Sequence, residues 1–271
     1  MTPITDGEID LFLSAIYHRY GYDFRSYSDN NKRNRLGICL AEMNVRDLAE
    51  LSDRVLSDRD FFYETLNRLT ITVTNLFRDP GFYRSLREKV LPLLHDKQGF
   101  KVWHAGCSSG EELFSLMMLL DEADLLEDAI LYGTDINPEA LRKAKLGIMG
   151  SDVIRRGAKA YHEAGGKQTI MDYFRVHHGY GLFQKNKKAS LVFSVHNLAS
   201  DSVFGEMQLI FCRNVLIYFN ESLQNRALNL ITESLAQGGF LCLGLQETLM
   251  FSSVDRFYDT IDAKHKIYRK K

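Results

Sequence analysis

Residues 101–115 read KVWHAGCSSGEELFS: an apolar run, a loop of Gly, Cys and Ser, then two acidic residues opening a helical pattern. A glycine-rich turn from a parallel strand into a helix exposes backbone N–H groups at the carboxyl edge of a sheet, where open α/β folds bind ligands. Gly106 and Gly110 are spaced G-x-x-x-G, unlike the G-x-G-x-x-G of a dinucleotide site. Glu111 and Glu112 stand where a pyrophosphate would meet like charge, which disfavours a nicotinamide-dependent oxidoreductase. A cationic ligand suits this helix start better. Asp135 ends the next apolar run, AILYGTD, where an acidic residue accepts hydrogen bonds from ribose hydroxyls. An adenosine ligand with a positive charge and no phosphate is S-adenosylmethionine. Two plainer readings stay open on these residues alone: the glycines form only a turn, and Asp135 only caps the helix at Asn137-Pro138.

The surrounding pattern says where such a loop sits. FKVWHA, DAILYGTD, SLVFSVHNL, MQLIFCRNVLIYF and GGFLCLGL are short apolar runs alternating with helical stretches. That alternation predicts a parallel sheet with helices on both faces. RFYDTIDAKHKIYRK reads as two strands about a turn at Asp262-Ala263, an antiparallel hairpin at the sheet edge. Residues 147–189 are too long for one connection, which usually runs about 2–6 residues, so they are expected to hold an inserted subdomain. Residues 1–70 show no strand pattern. Helices are predicted over 4–20, stopped by Gly21, and over 27–43, 46–57 and 58–69, the last capped by Asp58. Residues 71–99 then link this domain to a sheet domain at 100–271, through a helix opened by Asp79-Pro80. The expected class is α/β: a small N-terminal helical domain, then a Rossmann-like domain carrying an insert.

Charge and cysteine usage narrow the setting. Lysine plus arginine number 34 against 35 aspartate plus glutamate, so no net field favours nucleic acid or an anionic membrane. MTPITDGEIDLF is acidic where a signal peptide would be basic, and no apolar run approaches the roughly 18 residues of a spanning helix. Cys39, Cys107, Cys212 and Cys242 form no C-x-x-C pair and read as reduced thiols of a cytoplasmic protein, with no metal site expected. His177-His178 reads as surface and Trp103 as core.

TVTNLFRDP, WHAGCSSGEELFS, YGTDIN, LIFCRNVLIYF and GGFLCLGLQETL follow one another in that order. In these segments the chain resembles the CheR-type protein-glutamate O-methyltransferases of bacterial chemosensory systems, over nearly its whole length. The resemblance implies a class I S-adenosylmethionine-dependent methyltransferase domain with a small β-subdomain at 147–189. It implies methyl transfer to glutamate side chains of a protein, a chemoreceptor or a chemosensory-like partner, with S-adenosylhomocysteine as product. Arg78 would hold the substrate carboxylate in its guanidinium fork. Tyr218 would turn its ring to the sulfonium and its hydroxyl to the carboxylate. Cofactor contacts are implied at Thr72, Thr74, Arg78, Ala105, Gly106, Glu111, Asp135, Asn197, Leu198 and Asn214. Thr74 and Glu111 would hold the methionine portion, Asp135 the ribose and Asn197 the adenine edge, with Asn214 beside the methionine. On pattern alone, Arg78 reads rather as an ion pair with Asp79 and Tyr218 rather as a core aromatic, and Asn214 can be read as a turn residue.

The chain departs from the family pattern at several positions. Thr72 replaces an Asn, His104 a Ser, Leu113 a Pro, Gln208 an Asp and Gln246 a Ser, and Leu76-Phe77 stands for a Phe pair. Lys32, Arg33 and Arg35 supply one basic turn of the helix that docks on acidic receptor helices in chemotaxis members. The second turn falls near the apolar Ile38 and Cys39. Two alternatives follow: a cofactor-binding sensory or scaffold module without turnover, and a methyltransferase for another carboxylate.

Overall fold

The structure is a computed structural model that describes residues 4–94, 99–184 and 190–271. The expected bounds of the N-terminal domain, linker and insert take in residues 1–3, 95–98 and 185–189, which lie outside the described residues.

The N-terminal domain is helical because each helix start is written locally. α1 (Asp6–Tyr20) opens on a reciprocal cap: Glu8 N–H donates to the Thr5 hydroxyl, and the Glu8 carboxylate accepts from Thr5 N–H. α2 (Asp29–Glu42) starts later than the pattern predicts, because Tyr27 is drawn into an antiparallel bridge with Phe219. α3 (Leu48–Ser57) starts at its Asp47 cap, and α4 (Arg59–Leu69) at Asp58, whose carboxylate accepts from the N–H groups of Asp60 and Phe61. Ile9, Phe12, Ile16, Leu36, Leu51 and Phe62 close one core between these helices.

After α5 (Pro80–Lys89) the sheet domain begins with β1 (Phe100–Ala105), α6 (Glu111–Glu122), β2 (Ala129–Asp135) and α7 (Pro138–Leu146). The insert follows as β3 (Ile148–Gly150), α8 (Ser151–Glu163), β4 (Phe174–His177) and β5 (Tyr180–Phe183). Its strands form a three-stranded antiparallel sheet in the order β3-β5-β4. The chain then returns through β6 (Ser190–Val195), β7 (Met207–Cys212), α9 (Glu221–Ser234), β8 (Leu235–Leu243), β9 (Tyr258–Asp262) and β10 (Ile267–Lys270). The main sheet runs β6-β2-β1-β7-β8-β10-β9, parallel except for the terminal hairpin. The expected edge hairpin is therefore present, with β9 outermost.

Alternation along each strand sends residues to two cores. Phe100, Val102, Leu209, Phe211, Phe240 and Cys242 face α5, α6 and the insert. Trp103, Ala105, Ile210, Cys212, Leu241 and Leu243 face α9. Strand order reverses between β1 and β7, which opens a crevice at their carboxyl ends.

One apolar run is not a single strand. MQLIFCRNVLIYF leaves the sheet at Cys212, passes Asn214 at φ 60° and forms a short 3-10 turn, Leu216–Tyr218. The helical domain packs over this turn: Ser28 N–H donates to Tyr218 O at 2.9 Å, and Asn220 N–H to Ser26 O at 3.0 Å. Among the described residues no helix is long and apolar enough to cross a membrane. All four cysteines are free and buried.

Candidate active site

The crevice continues into a cavity of about 1000 Å³, counted out to its mouth. Its floor comes from the loop after β1 (Gly106, Cys107, Ser108), the end of β2 (Asp135, Ile136) and the segment after β6 (His196, Asn197, Leu198). Arg213, Asn214, Val215, Tyr218 and Phe219 make one wall. Ile71, Val73, Thr74 and Arg78 of the linker make another, and Tyr27 and Asn31 of the helical domain complete it.

The glycine turn has the shape the sequence suggests. Gly106 sits at φ 79°, and a Cβ there would lie 2.5 Å from Val215 Cγ2, so only glycine lets the loop pass under the opposite wall. Ser108 and Cys107 follow, and Ser108 N–H donates to Asp135 Oδ2 at 2.8 Å. Asp135 Oδ1 accepts from Asn137 N–H at 2.9 Å. Asp135 does not cap α7: Asn137 does, accepting from Glu139 and Ala140 N–H. The Asp135 carboxylate is left on the cavity floor. Burial pushes its pKa up, opposed by the N–H groups of Asn137 and Ser108.

Arg78 and Asp79 do not pair. Asp79 is taken by Arg213, whose Nη2 donates to Asp79 Oδ2 at 2.8 Å and to Arg78 O at 3.3 Å. Arg213 is fully buried, with its guanidinium 4.0 Å from the centroid of the Phe82 ring. Its Nη1 donates to Glu112 Oε2 at 2.9 Å, and Glu112 Oε1 lies 3.0 Å from His104 Nδ1. Burial alone would raise Glu112, but His104 and Arg213 outweigh it and hold its carboxyl below the ordinary range. Burial would lower Arg213, and Glu112 with Asp79 overcomes that. The Arg78 guanidinium is left exposed, with no hydrogen bond or ion pair to another described residue. It lies close enough to Tyr218 for its charge to oppose the rise that burial imposes on the phenol.

Of the expected contacts, Thr74, Arg78, Gly106, Asp135, Asn197, Leu198, Asn214 and Tyr218 come together around the cavity. Glu111, Thr72 and Arg35 are placed elsewhere than around this cavity, and Ala105 stands just behind its wall. Glu111 is not among the lining residues; it is buried and accepts from the Ser109 hydroxyl at 2.7 Å, while Glu112 reaches the cavity instead. Adjacent helical residues point about 100° apart, so the two carboxylates leave the helix in different directions. Thr72 lines a separate surface hollow with Asn67 and Lys143, its carbonyl held by the Ser108 hydroxyl at 2.9 Å. Arg35 does not project for docking: it turns back to the carbonyls of Arg68 and Thr70. Lys32 pairs with Asp29 and its side chain is only 12% exposed, whereas Arg33 pairs with Asp6 and stays 42% exposed, so Arg33 is the basic residue of this helix most open to a partner. Ala105 is packed in the core beneath Gly106.

Sequence reasoning missed Glu112, Arg213, Tyr27 and Asn31. Arg213 carried a signal, a charge at the end of an apolar strand. Tyr27 and Asn31 carried none, since only tertiary packing brings them to the cavity.

The lining suits the expected ligand. It offers a buried carboxylate and aromatic rings, and the buried arginine is already neutralised by Glu112 and Asp79 rather than free for phosphate. Residues 72–267 match the family model described as CheR methyltransferase, SAM binding domain, and residues 7–70 the CheR methyltransferase, all-alpha domain. The chain belongs to the CheR methyltransferase family. It is an S-adenosylmethionine-dependent methyltransferase with an all-α N-terminal domain and a class I α/β domain. This CheR chain is 42% identical over 98% of its length to a Pseudomonas putida protein named "Putative methyltransferase Cher3", covering 97% of that protein. It is 30% identical to "Chemotaxis protein methyltransferase 1" of Vibrio cholerae, with 92% of each chain covered. It is 28% identical to "Chemotaxis protein methyltransferase" of Listeria monocytogenes, with 92% of this CheR chain and 93% of that one covered.

Proposed function

We propose that the protein methylates glutamate side-chain carboxylates on a signalling protein, a chemoreceptor or a chemosensory-like partner with a helical region for the all-α domain to meet. The observation that carries this reading is the Arg78 guanidinium, unpaired among the described residues, beside the Tyr218 phenol at one cavity. An exposed guanidinium offers a carboxylate two parallel hydrogen bonds, a geometry a lone hydroxyl or ammonium cannot match. The names of the V. cholerae and L. monocytogenes relatives point to the same kind of acceptor.

Bound S-adenosylmethionine supplies an electrophilic methyl group. The chain's own task is placement. A glutamate of ordinary pKa, about 4.3, is already ionised at neutral pH, so no strong base is required. Arg78 holds the acceptor carboxylate, and Tyr218 orients it and shields the site from water. Asp135 takes the ribose hydroxyls, and Asn197 with Leu198 takes the adenine. Glu112, Thr74 and Asn214 surround the amino-acid end. Rate then comes from proximity and orientation.

The test is transfer of labelled methyl from S-adenosylmethionine into a lysate of the source organism, scored as methanol released in mild base. Base-labile label on a protein band is expected. Arg78→Ala should cut transfer by about 100-fold even at saturating S-adenosylmethionine, as misplacement at a reacting centre does. Base-stable label would overturn the carboxylate assignment. Unchanged transfer by the variant would overturn the role of Arg78.

A further inference from the structure

The 213–218 turn carries Asn214 and Tyr218 to the site, and its only regular structure is the short 3-10 turn at Leu216–Tyr218. What holds it lies behind it. Glu247, in the loop after β8, sends a carboxylate into the crook of the turn, where it is 5% exposed. Oε2 accepts from Asn214 N–H at 2.9 Å and from Gly244 N–H at 2.5 Å. Oε1 accepts from Val215 and Leu216 N–H, each at 2.8 Å. Three successive backbone N–H groups and one from the neighbouring strand end thus converge on one anion.

We propose that Glu247 is a positioning residue for methyl transfer: its carboxylate holds the turn in the one shape that brings both Asn214 and Tyr218 to the cavity. The proposal rests on the site roles given to those two residues above.

The chemistry of the contact fits. An ionised carboxylate is an acceptor only, with about four lone-pair sites, and here four donors occupy it. Successive N–H groups that turn inward form a concave site for an anion, and the protein fills this one with its own side chain. The turn needs such a partner because Asn214 sits at φ 60°, a region few non-glycine residues adopt. Gly244 is part of the device, since a Cβ there would lie 2.7 Å from Glu247 Oε2 and 2.8 Å from Asn214 N. Glu247 does not line the cavity and pairs with no cation among the described residues; it grips the backbone of the turn, and its charge adds to the rise that burial imposes on the Tyr218 phenol. Burial pushes its carboxyl up in pKa, and the four N–H groups oppose that.

Glu247→Gln is the direct test, because an amide nitrogen cannot accept from a facing N–H. Binding of S-adenosylhomocysteine is read by calorimetry. The rate of base-labile methyl transfer and the half-saturating S-adenosylmethionine concentration are read in the lysate assay above. The variant is expected to bind S-adenosylhomocysteine at least about 10-fold more weakly and to transfer methyl about 10- to 100-fold more slowly even at saturation. Glu247→Asp, which keeps the charge one methylene short, should fall between it and the wild type. It carries the same comparison if the glutamine variant does not fold. Thr232→Val, which removes a buried hydrogen bond to Tyr258 elsewhere in the domain, controls for lost stability and should leave both readouts within twofold. Folded Glu247 variants within twofold of wild type, while Asn214→Ala and Tyr218→Phe are impaired, would overturn the proposal alone. Intact activity in those two variants would remove the site reading beneath it.

Discussion

Asn214 is not alone in its backbone strain. Phe77 (φ 53°), Asp79 (φ 62°) and Ser108 (φ 52°) also lie in the left-handed region, and all four sit in segments bordering the cavity. Such residues cost on the order of 1–3 kcal/mol each and persist only where neighbours hold them. Each has its holder: Ser115 Oγ accepts from Phe77 N–H at 2.8 Å, Arg213 grips Asp79, Asp135 accepts from Ser108, and Glu247 from Asn214. The site is therefore shaped both by side chains that line it, Arg213 and Asp135, and by two that stand behind it, Ser115 and Glu247. Gly106 is where this shaping is least forgiving. Gly106→Ala would drive a methyl group into Val215 and hold it at a positive φ. It is expected to destabilise the fold by about 1–3 kcal/mol and to abolish S-adenosylhomocysteine binding, checked by thermal melting and calorimetry. Gly106 and Asp135 were legible in the sequence because a turn and a strand end are local events. The choice between Glu111 and Glu112 was not, since neighbours on a helix differ only by rotation.

At the scale of elements, the terminal hairpin was written in its alternation, but the tie that fastens it was not. Asp262, at the end of β9, accepts from Ser85 Oγ at 2.6 Å and Lys89 Nζ at 2.8 Å, both on α5, and from His265 N–H at 3.0 Å. The contacts with Ser85 and Lys89 join segments far apart in the chain, so no local pattern could announce them. Burial would raise the Asp262 carboxyl, but Lys89, Ser85 and His265 outweigh it and hold it well below the usual range. Its stabilisation is thus fully present above the unfolded value near 4 and is lost as pH falls toward the depressed native value. Asp262→Asn is expected to cost about 1–2 kcal/mol at pH 7. Its difference from wild type should shrink as denaturant melts are repeated below pH 4. An undiminished difference there would mean that the charge is not what Asp262 contributes.

For the whole molecule, the order of elements and the division into a helical and a sheet domain were legible from period and composition. How the domains meet was not. Tyr27 and Asn31 reach the cavity, and Asn137 Nδ2 donates to Thr70 Oγ1 at 2.7 Å, through contacts that no single segment encodes. With walls from both domains, a ligand should stabilise them together. S-adenosylhomocysteine at 100 times its Kd adds about 2.7 kcal/mol. A single melting transition should move upward, and cleavage of the 71–79 segment by protease should slow. Two transitions, with only one responding, would show that the domains melt apart.

The 71–79 segment joins the domains and is also part of the cavity wall, through Ile71, Val73, Thr74 and Arg78. Most connections between domains absorb added residues at little cost, because loop entropy grows slowly with length. Here one extra residue would carry Arg78 out of step with Tyr218. The two halves of this protein are thus not interchangeable modules: a lengthened junction is expected to cost methyl transfer even where the chain still folds, because the joint is itself a wall of the site.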